Sequence, residues 1–348
     1  MNNRSENTAA WLVVGALLLG FVSIAGCGMN RMTSESDAIV LPAPRNFTAD
    51  LSSAQSGDIQ SMIWVAQDFI HGTGTHIDYG QAMQWLQRAS SLGSNQAAAL
   101  VGSMYFYGYG VPRDTSKVLA IETPLAAKGV ATAYTYLGLL YEFGGGVDKN
   151  LQTAADDMEK AAEGGDPVGT AQLGVMYMRG DGVARNLTKA KSYYTSSALQ
   201  GNDVGEADLG ELYEKGLGIS KDTSLAARFY LAAALQHNPF AEYRLGVLYQ
   251  NGDGVSQDYG KAFQWYYEAA KHHEAVADEA IGTLYNLGLG VPADQKQAYA
   301  WTALAARRGD TEAKAKLQLM QGLISPAEMA QADAAAAEVV SKLTSSTN

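Results

Sequence analysis

Cysteine is almost missing from this chain of 348 residues. Cys27 stands alone, so no intrachain disulfide staples the fold and no C-x-x-C pair carries redox chemistry. Proline is scarce, at 8 residues, which suits closely packed helices, because an interior proline breaks the helical hydrogen-bond ladder. Positive charge is in deficit: 25 Lys and Arg face 36 Asp and Glu, for a net charge of −11. Phosphate binding needs a basic footprint, so nucleic acid is excluded as a partner. No apolar run reaches the roughly 20 residues of a membrane-spanning helix. Neither G-x-x-x-x-G-K-[ST] nor G-x-S-x-G occurs, which removes a phosphate loop and a hydrolase elbow.

What is present is 47% apolar residues and 37 glycines. That apolar content is ample for a buried core and rules out a disordered chain. The amino end is a targeting segment, residues 1–26, with Arg4 ahead of the apolar run Trp11 to Ala25. The run ends in Ile24-Ala25-Gly26-Cys27, which looks like a bacterial lipobox. The resemblance implies cleavage before Cys27 and diacylglycerol on its thiol, giving stable membrane anchoring. Gly28 in place of an aspartate implies the outer membrane, facing the periplasm. Residues 27–50 are polar, contain Pro42 and Pro44, and read as a flexible tether.

The rest of the chain repeats itself. A Gly-x-Gly pair begins at Gly72 and returns every 36 residues to Gly288, seven copies without drift. Three residues before each pair stands Phe69 or a tyrosine, from Tyr105 to Tyr285, and seven before it an aliphatic residue from Val65 to Ile281. The two columns are four apart, so they share a helix face and read as core. Between them six copies carry glycine, Gly102 through Gly282, with Ala66 in the first. A glycine inside a helix costs about 1 kcal/mol against alanine, so the column implies close approach of a neighbouring helix. Asp or Asn follows each turn, from Asp78 to Asp294, and should cap a second helix. That helix carries small residues four after the cap (Ala82 to Ala298), then mostly bulky ones (Trp85, Ile121, Tyr193, Phe229, Trp265, Trp301). The expectation is all-α: an α-solenoid of seven 36-residue helix-turn-helix units over residues 51–312. Pro124 should break or kink its helix. Residues 313–348 should form capping helices and a tail, with Ser325 capping the stretch that starts at Pro326.

Ala241 to Ala270, AEYRLGVLYQNGDGVSQDYGKAFQWYYEAA, shows the unit best and resembles the Sel1-like repeat, a relative of the tetratricopeptide repeat. The likeness covers residues 61 to 312. It implies an adaptor that holds macromolecular complexes together, and some bacterial members are envelope lipoproteins. One such group supports exopolysaccharide export. The cysteines that staple helix pairs in another subgroup are missing here.

Catalytic signals are weak. Seven copied glycine turns are structural. His71, His76, His237, His272 and His273 show no paired metal-ligand spacing, so they read as surface residues, with no metal and no cofactor. Asp156, Asp157 and Glu159 read as an exposed helix face rather than an acid–base pair. Tyr107, Tyr109, Tyr194 and Tyr266 fall off the core columns and are the candidate partner-binding residues. The sequence thus points to a lipid-anchored periplasmic scaffold for protein partners in the envelope, without enzymatic activity. An accessory role in exopolysaccharide export is the alternative.

Overall fold

A computed structural model describes residues 46–322 and 326–345. The targeting segment, Cys27, most of the tether and the Ser325 cap lie outside the described residues. Among the described residues every regular element is a helix, 17 in all, and no strand occurs. None is long and apolar enough to cross a membrane. The chain divides into two compact units, one ending at Gly205 and the other beginning at Glu206.

In the first unit, α1 (Phe47–Gln55) precedes the repeats and starts within the last residues assigned to the tether. The first two hairpins are α2 (Ile59–His71) with α3 (Tyr79–Ser91), and α4 (Asn95–Tyr107) with α5 (Thr115–Ala126). The next two are α6 (Ala131–Phe143) with α7 (Leu151–Glu163), and α8 (Pro167–Arg179) with α9 (Leu187–Ala198). Phe47 of α1 packs edge-on to Phe69 at 5.3 Å, covering the outer face of the first hairpin. Helix α10 (Asp203–Lys215) begins three residues before the second unit, in which α11 (Thr223–Ala234) follows and α12 (Pro239–Asn251) pairs with α13 (Tyr259–Lys271). The last hairpin is α14 (Ala275–Leu287) with α15 (Gln295–Arg308). Helices α16 (Thr311–Gln321) and α17 (Pro326–Ser345) close the end, where Ala336, Val339 and Leu343 join the core around Trp301.

The turn chemistry follows the repeat. The first glycine of the pair ends the first helix in the left-handed region: Gly108 has φ 79° and Gly252 φ 76°, and each donates its N–H to the carbonyl four residues back. The cap residue then closes the loop twice. The Asp258 N–H donates to the Tyr249 carbonyl at 2.9 Å, and its carboxylate accepts from the Lys261 N–H at 2.9 Å. All seven Asp and Asn caps behave this way. The second glycine joins repeats. A Cβ on Gly146 would lie 2.8 Å from the Thr115 hydroxyl, and one on Gly290 would collide with the Tyr259 backbone.

Inside each hairpin the helix-interior glycine meets one residue of the second helix. A Cβ on Gly174 would lie 2.6 Å from the Tyr194 ring, and one on Gly210 would lie 2.7 Å from Tyr230. Gly246 sits on the Tyr266 ring in the same way, and Gly138 on Met158. In the first repeat these two positions hold Ala66 and Leu86, both fully buried, so a methyl is admitted opposite this leucine. Pro124 does not break α5. It falls in the last turn, and the helical bond from the Ala127 N–H to the Thr123 carbonyl persists at 3.1 Å. Only the bond its own missing N–H would have made is lost.

The first repeat suggests a compensation experiment. Gly246→Ala should destabilise by about 1–2 kcal/mol, because overpacking at the ring outweighs the helix-propensity gain. Adding Tyr266→Leu should cost at least about 1 kcal/mol less than the sum of the two single substitutions. Urea unfolding of the four proteins measures the coupling, and additive costs would refute the contact.

Candidate functional site

With the core column occupied by the ring that meets the glycine, the repeat has two aromatic registers with opposite fates. Tyr194, Tyr230 and Tyr266 are completely buried, and Tyr107 nearly so. The other register runs along the outside of the hairpin. Tyr105, Tyr141, Tyr177 and Tyr249 of the first helices are partly exposed, whereas Phe69 and Tyr213 of the same column are buried. In the first unit Tyr177 stacks on Tyr193, with centroids 5.5 Å apart and planes 13° from parallel. Lys189 stands 4.7 Å from the Tyr177 centroid and donates to its hydroxyl at 3.1 Å. The pattern recurs with Lys117 over Tyr105 at 4.4 Å, and in the second unit with Lys261 over Tyr249 at 5.2 Å. Each is a cation held over an aromatic face at the surface.

These registers are the reverse of those expected from the columns, and three of the four candidate binding residues are corrected. Tyr107, Tyr194 and Tyr266 are core: Tyr266 reaches the Gln250 side chain at 3.0 Å from within the hairpin, and Tyr194 fills the space left by Gly174. The fourth, Tyr109, is partly buried and stacks on Tyr79 at 4.7 Å across the repeat junction. The physical reason is a one-residue shift of the stripe on the second helix. The position eight after the cap faces the glycine, whereas the position after seven lies at the margin in Trp85, Tyr193 and Trp265 and is buried in Phe229 and Trp301. Three-to-four spacing admits either stripe, and only the glycine contact distinguishes them.

The acidic candidates do not assemble a catalytic pair. Asp156 accepts from Gln152 at 2.9 Å, while Asp157 pairs with Lys160 at 3.3 Å. Asp157 is buried rather than on an exposed face, and burial raises its carboxyl above the ordinary range.

Two histidines read as separate surface residues are brought together. In the second unit His237, in the turn before α12, and His272, at the end of α13, flank Glu242 on the first turn of α12. His237 Nδ1 and His272 Nε2 each stand 3.8 Å from a different oxygen of Glu242. The Glu242 side chain is only 1% exposed. Burial raises Glu242 to about 7, against the opposing pull of His237, and lowers His272 to about 4. Residue spacing hid the group because its members are brought together by the packing of consecutive turns.

A cavity of about 300 Å³ also opens in the second unit, walled by Phe263, Tyr267, Tyr285 and Trp301 and bordered by Val339 and Lys342 of α17. Its rings pack on each other, Phe263 on Tyr285 edge-on at 5.6 Å and Tyr267 on Trp301 at 5.9 Å. That arrangement spends much of the aromatic surface internally.

Comparison with known proteins bears on these surfaces. The family model described as Sel1 repeat matches residues 59–94, 95–122, 131–166, 167–202, 204–238, 239–273 and 275–310. Among solved structures, a Sel1 repeat protein from Oxalobacter formigenes is 31% identical with a TM-score of 0.57, over 79% of this chain and 80% of that one. A protective antigen present in uropathogenic Escherichia coli strains, displaying an SLR fold, is 27% identical with a TM-score of 0.44, over 86% of this chain and 72% of that one. Among curated proteins nothing matches.

One residue in the glycine-facing column carries a carboxyl group. Glu122 is fully buried beneath Gly102, and neither carboxylate oxygen has a hydrogen-bond partner. Burial pushes its carboxyl up to about 9 from an ordinary value of 4.5. Between those values the folded state binds more protons than the unfolded one, so stability is greatest at low pH and falls as pH rises through the window. Glu122→Gln should flatten the slope of melting temperature against pH between 5 and 9 and raise Tm at pH 8 by about 2–4 °C. An unchanged slope in calorimetry would show that Glu122 ionises freely.

Proposed function

The chain belongs to the Sel1 repeat family, whose repeats serve protein–protein interaction, and from that premise we propose a membrane-anchored periplasmic scaffold. The anchor in this reading is a lipid on Cys27, supported by the apolar run from Trp11 to Ala25 and the small residues ahead of the cysteine. Gly28 supports the outer membrane as the site of anchoring. The family is a non-enzymatic interaction scaffold.

One observation carries the reading of where partners bind. The core is satisfied by the buried aromatic register, yet the partly exposed register persists with lysines held over it. Such tyrosines offer rigid amphipathic area at small entropic cost, and pre-ordered helices present it without a folding penalty at binding. The Tyr105, Tyr141 and Tyr177 series of the first unit, with Tyr193 and Lys189, is therefore the assigned contact surface.

Photo-crosslinking from position 177 in intact envelopes should yield protein adducts. Tyr177→Ala with Tyr193→Ala should weaken partner capture at least about tenfold while leaving melting nearly unchanged. Tyr194→Ala should instead lower Tm, because it empties the core. Adducts confined to polysaccharide-export proteins would assign the accessory export role. Cys27→Ser should move the protein from the membrane to the soluble periplasmic fraction, and its retention in the membrane would contradict the lipid anchor.

A further inference from the structure

The turn that joins one repeat to the next places a residue in the left-handed region every 36 positions. From Gly57 to Gly201 that residue is glycine, and Gly309 closes the series. At two positions it is histidine: His237 at φ 63° and His273 at φ 69°. A non-glycine residue held there stores backbone strain, which persists where the side chain has a task.

For His273 the task is visible. Arg308 donates to both oxygens of buried Asp278, at 2.8 and 2.7 Å, and lies 2.9 Å from His273 Nδ1. Imidazole, guanidinium and carboxylate satisfy one another. One repeat earlier the corresponding positions are His237, His272 and Glu242, so histidine replaces the arginine and no cation is built in. Glu242 Oε2 is buried without a hydrogen-bond partner. Both imidazole nitrogens stand 3.8 Å from the carboxylate, beyond hydrogen-bond range. The neighbouring charges Lys271 and Glu268 on α13 pair with each other, leaving the carboxylate to the two rings.

We propose that His237 Nδ1, Glu242 and His272 Nε2 bind one divalent transition-metal cation of the zinc class, which supplies the charge that Arg308 supplies one repeat later. The donor set of two imidazoles and a carboxylate suits Zn²⁺ and its neighbours rather than Mg²⁺ or Ca²⁺. The three donor atoms lie within 4.8 Å of one another. Metal–ligand bonds of about 2.0–2.2 Å bring such donors closer than this, and the His237 side chain, 57% exposed, can rotate to close the gap. Three protein ligands leave further positions for water. The cation ties the turn before repeat six to the end of that repeat.

The test is calorimetric titration of ZnCl₂ into the full-length, chelator-stripped protein, with MgCl₂ as the contrasting ion. One zinc per chain is expected, with a rise in Tm that magnesium does not give. His237→Gly restores the residue that the preceding turns carry, so the metal-free protein should melt no lower than wild type. Its zinc affinity should nevertheless fall at least about tenfold, as should that of His272→Ala. Co²⁺ should give a visible absorption band that His237→Gly abolishes, and His76→Ala should change nothing. Absent zinc heat, or equal zinc affinity in wild type and both site variants, would overturn the proposal.

Discussion

Each hairpin depends on one steric constraint: two helices approach so closely that the first must present a bare Cα to a side chain of the second. Gly174 against Tyr194 and Gly246 against Tyr266 are the plainest cases. A mid-helix glycine is locally unfavourable, but the space it opens lets a whole aromatic ring be buried, which returns more than the propensity lost. The turn glycines and the Asp or Asn caps then determine how the second helix leaves the first. A second glycine at each turn lets the next hairpin close on the backbone of the one before. Because one hairpin buries only one of its faces, this junction supplies the rest of its burial.

Most of the fold was legible because these requirements are stereochemical and recur every 36 residues. Positive φ at a helix end selects glycine, a free first-turn N–H selects Asp or Asn, and a bare helix surface selects glycine again; each leaves a column. The candidate site was read less well, and the reason is geometric. On α9, Tyr193 and Tyr194 are adjacent, and either completes an apolar stripe with Ala190 and Ser197. Tyr194 is inside only because it lies opposite Gly174, a relation between helices that spacing within one helix does not contain. Pro124 is tolerated for a related reason: its position in the final turn of α5, rather than its identity, sets its cost.

Deviations from the columns carry the individual character of this chain. Glu122 puts a carboxyl where its siblings put rings, leucine, methionine or threonine, and burial keeps it protonated far above its ordinary range. His237 and His273 occupy turn positions where the other copies have glycine. One is held by Arg308, while the other stands 3.8 Å from the buried Glu242 carboxylate. A repeat frame makes such exceptions visible, since every position has siblings against which it is measured. The partly exposed tyrosines are different in kind: Tyr105, Tyr141 and Tyr177 recur in three successive repeats of the first unit, and aromatic area repeated in this way suits a partner surface.

Amide hydrogen exchange is the most direct test of the close-approach claim. In the wild type, the amides of α12 and α13 around Gly246 and Tyr266 should be among the slowest to exchange in the second unit. In Gly246→Ala, protection should fall in both helices of that hairpin and in α14 packed beside it, since a hairpin forced apart loosens its neighbour. Unchanged protection, or a loss restricted to the turn at Gly252, would contradict the account.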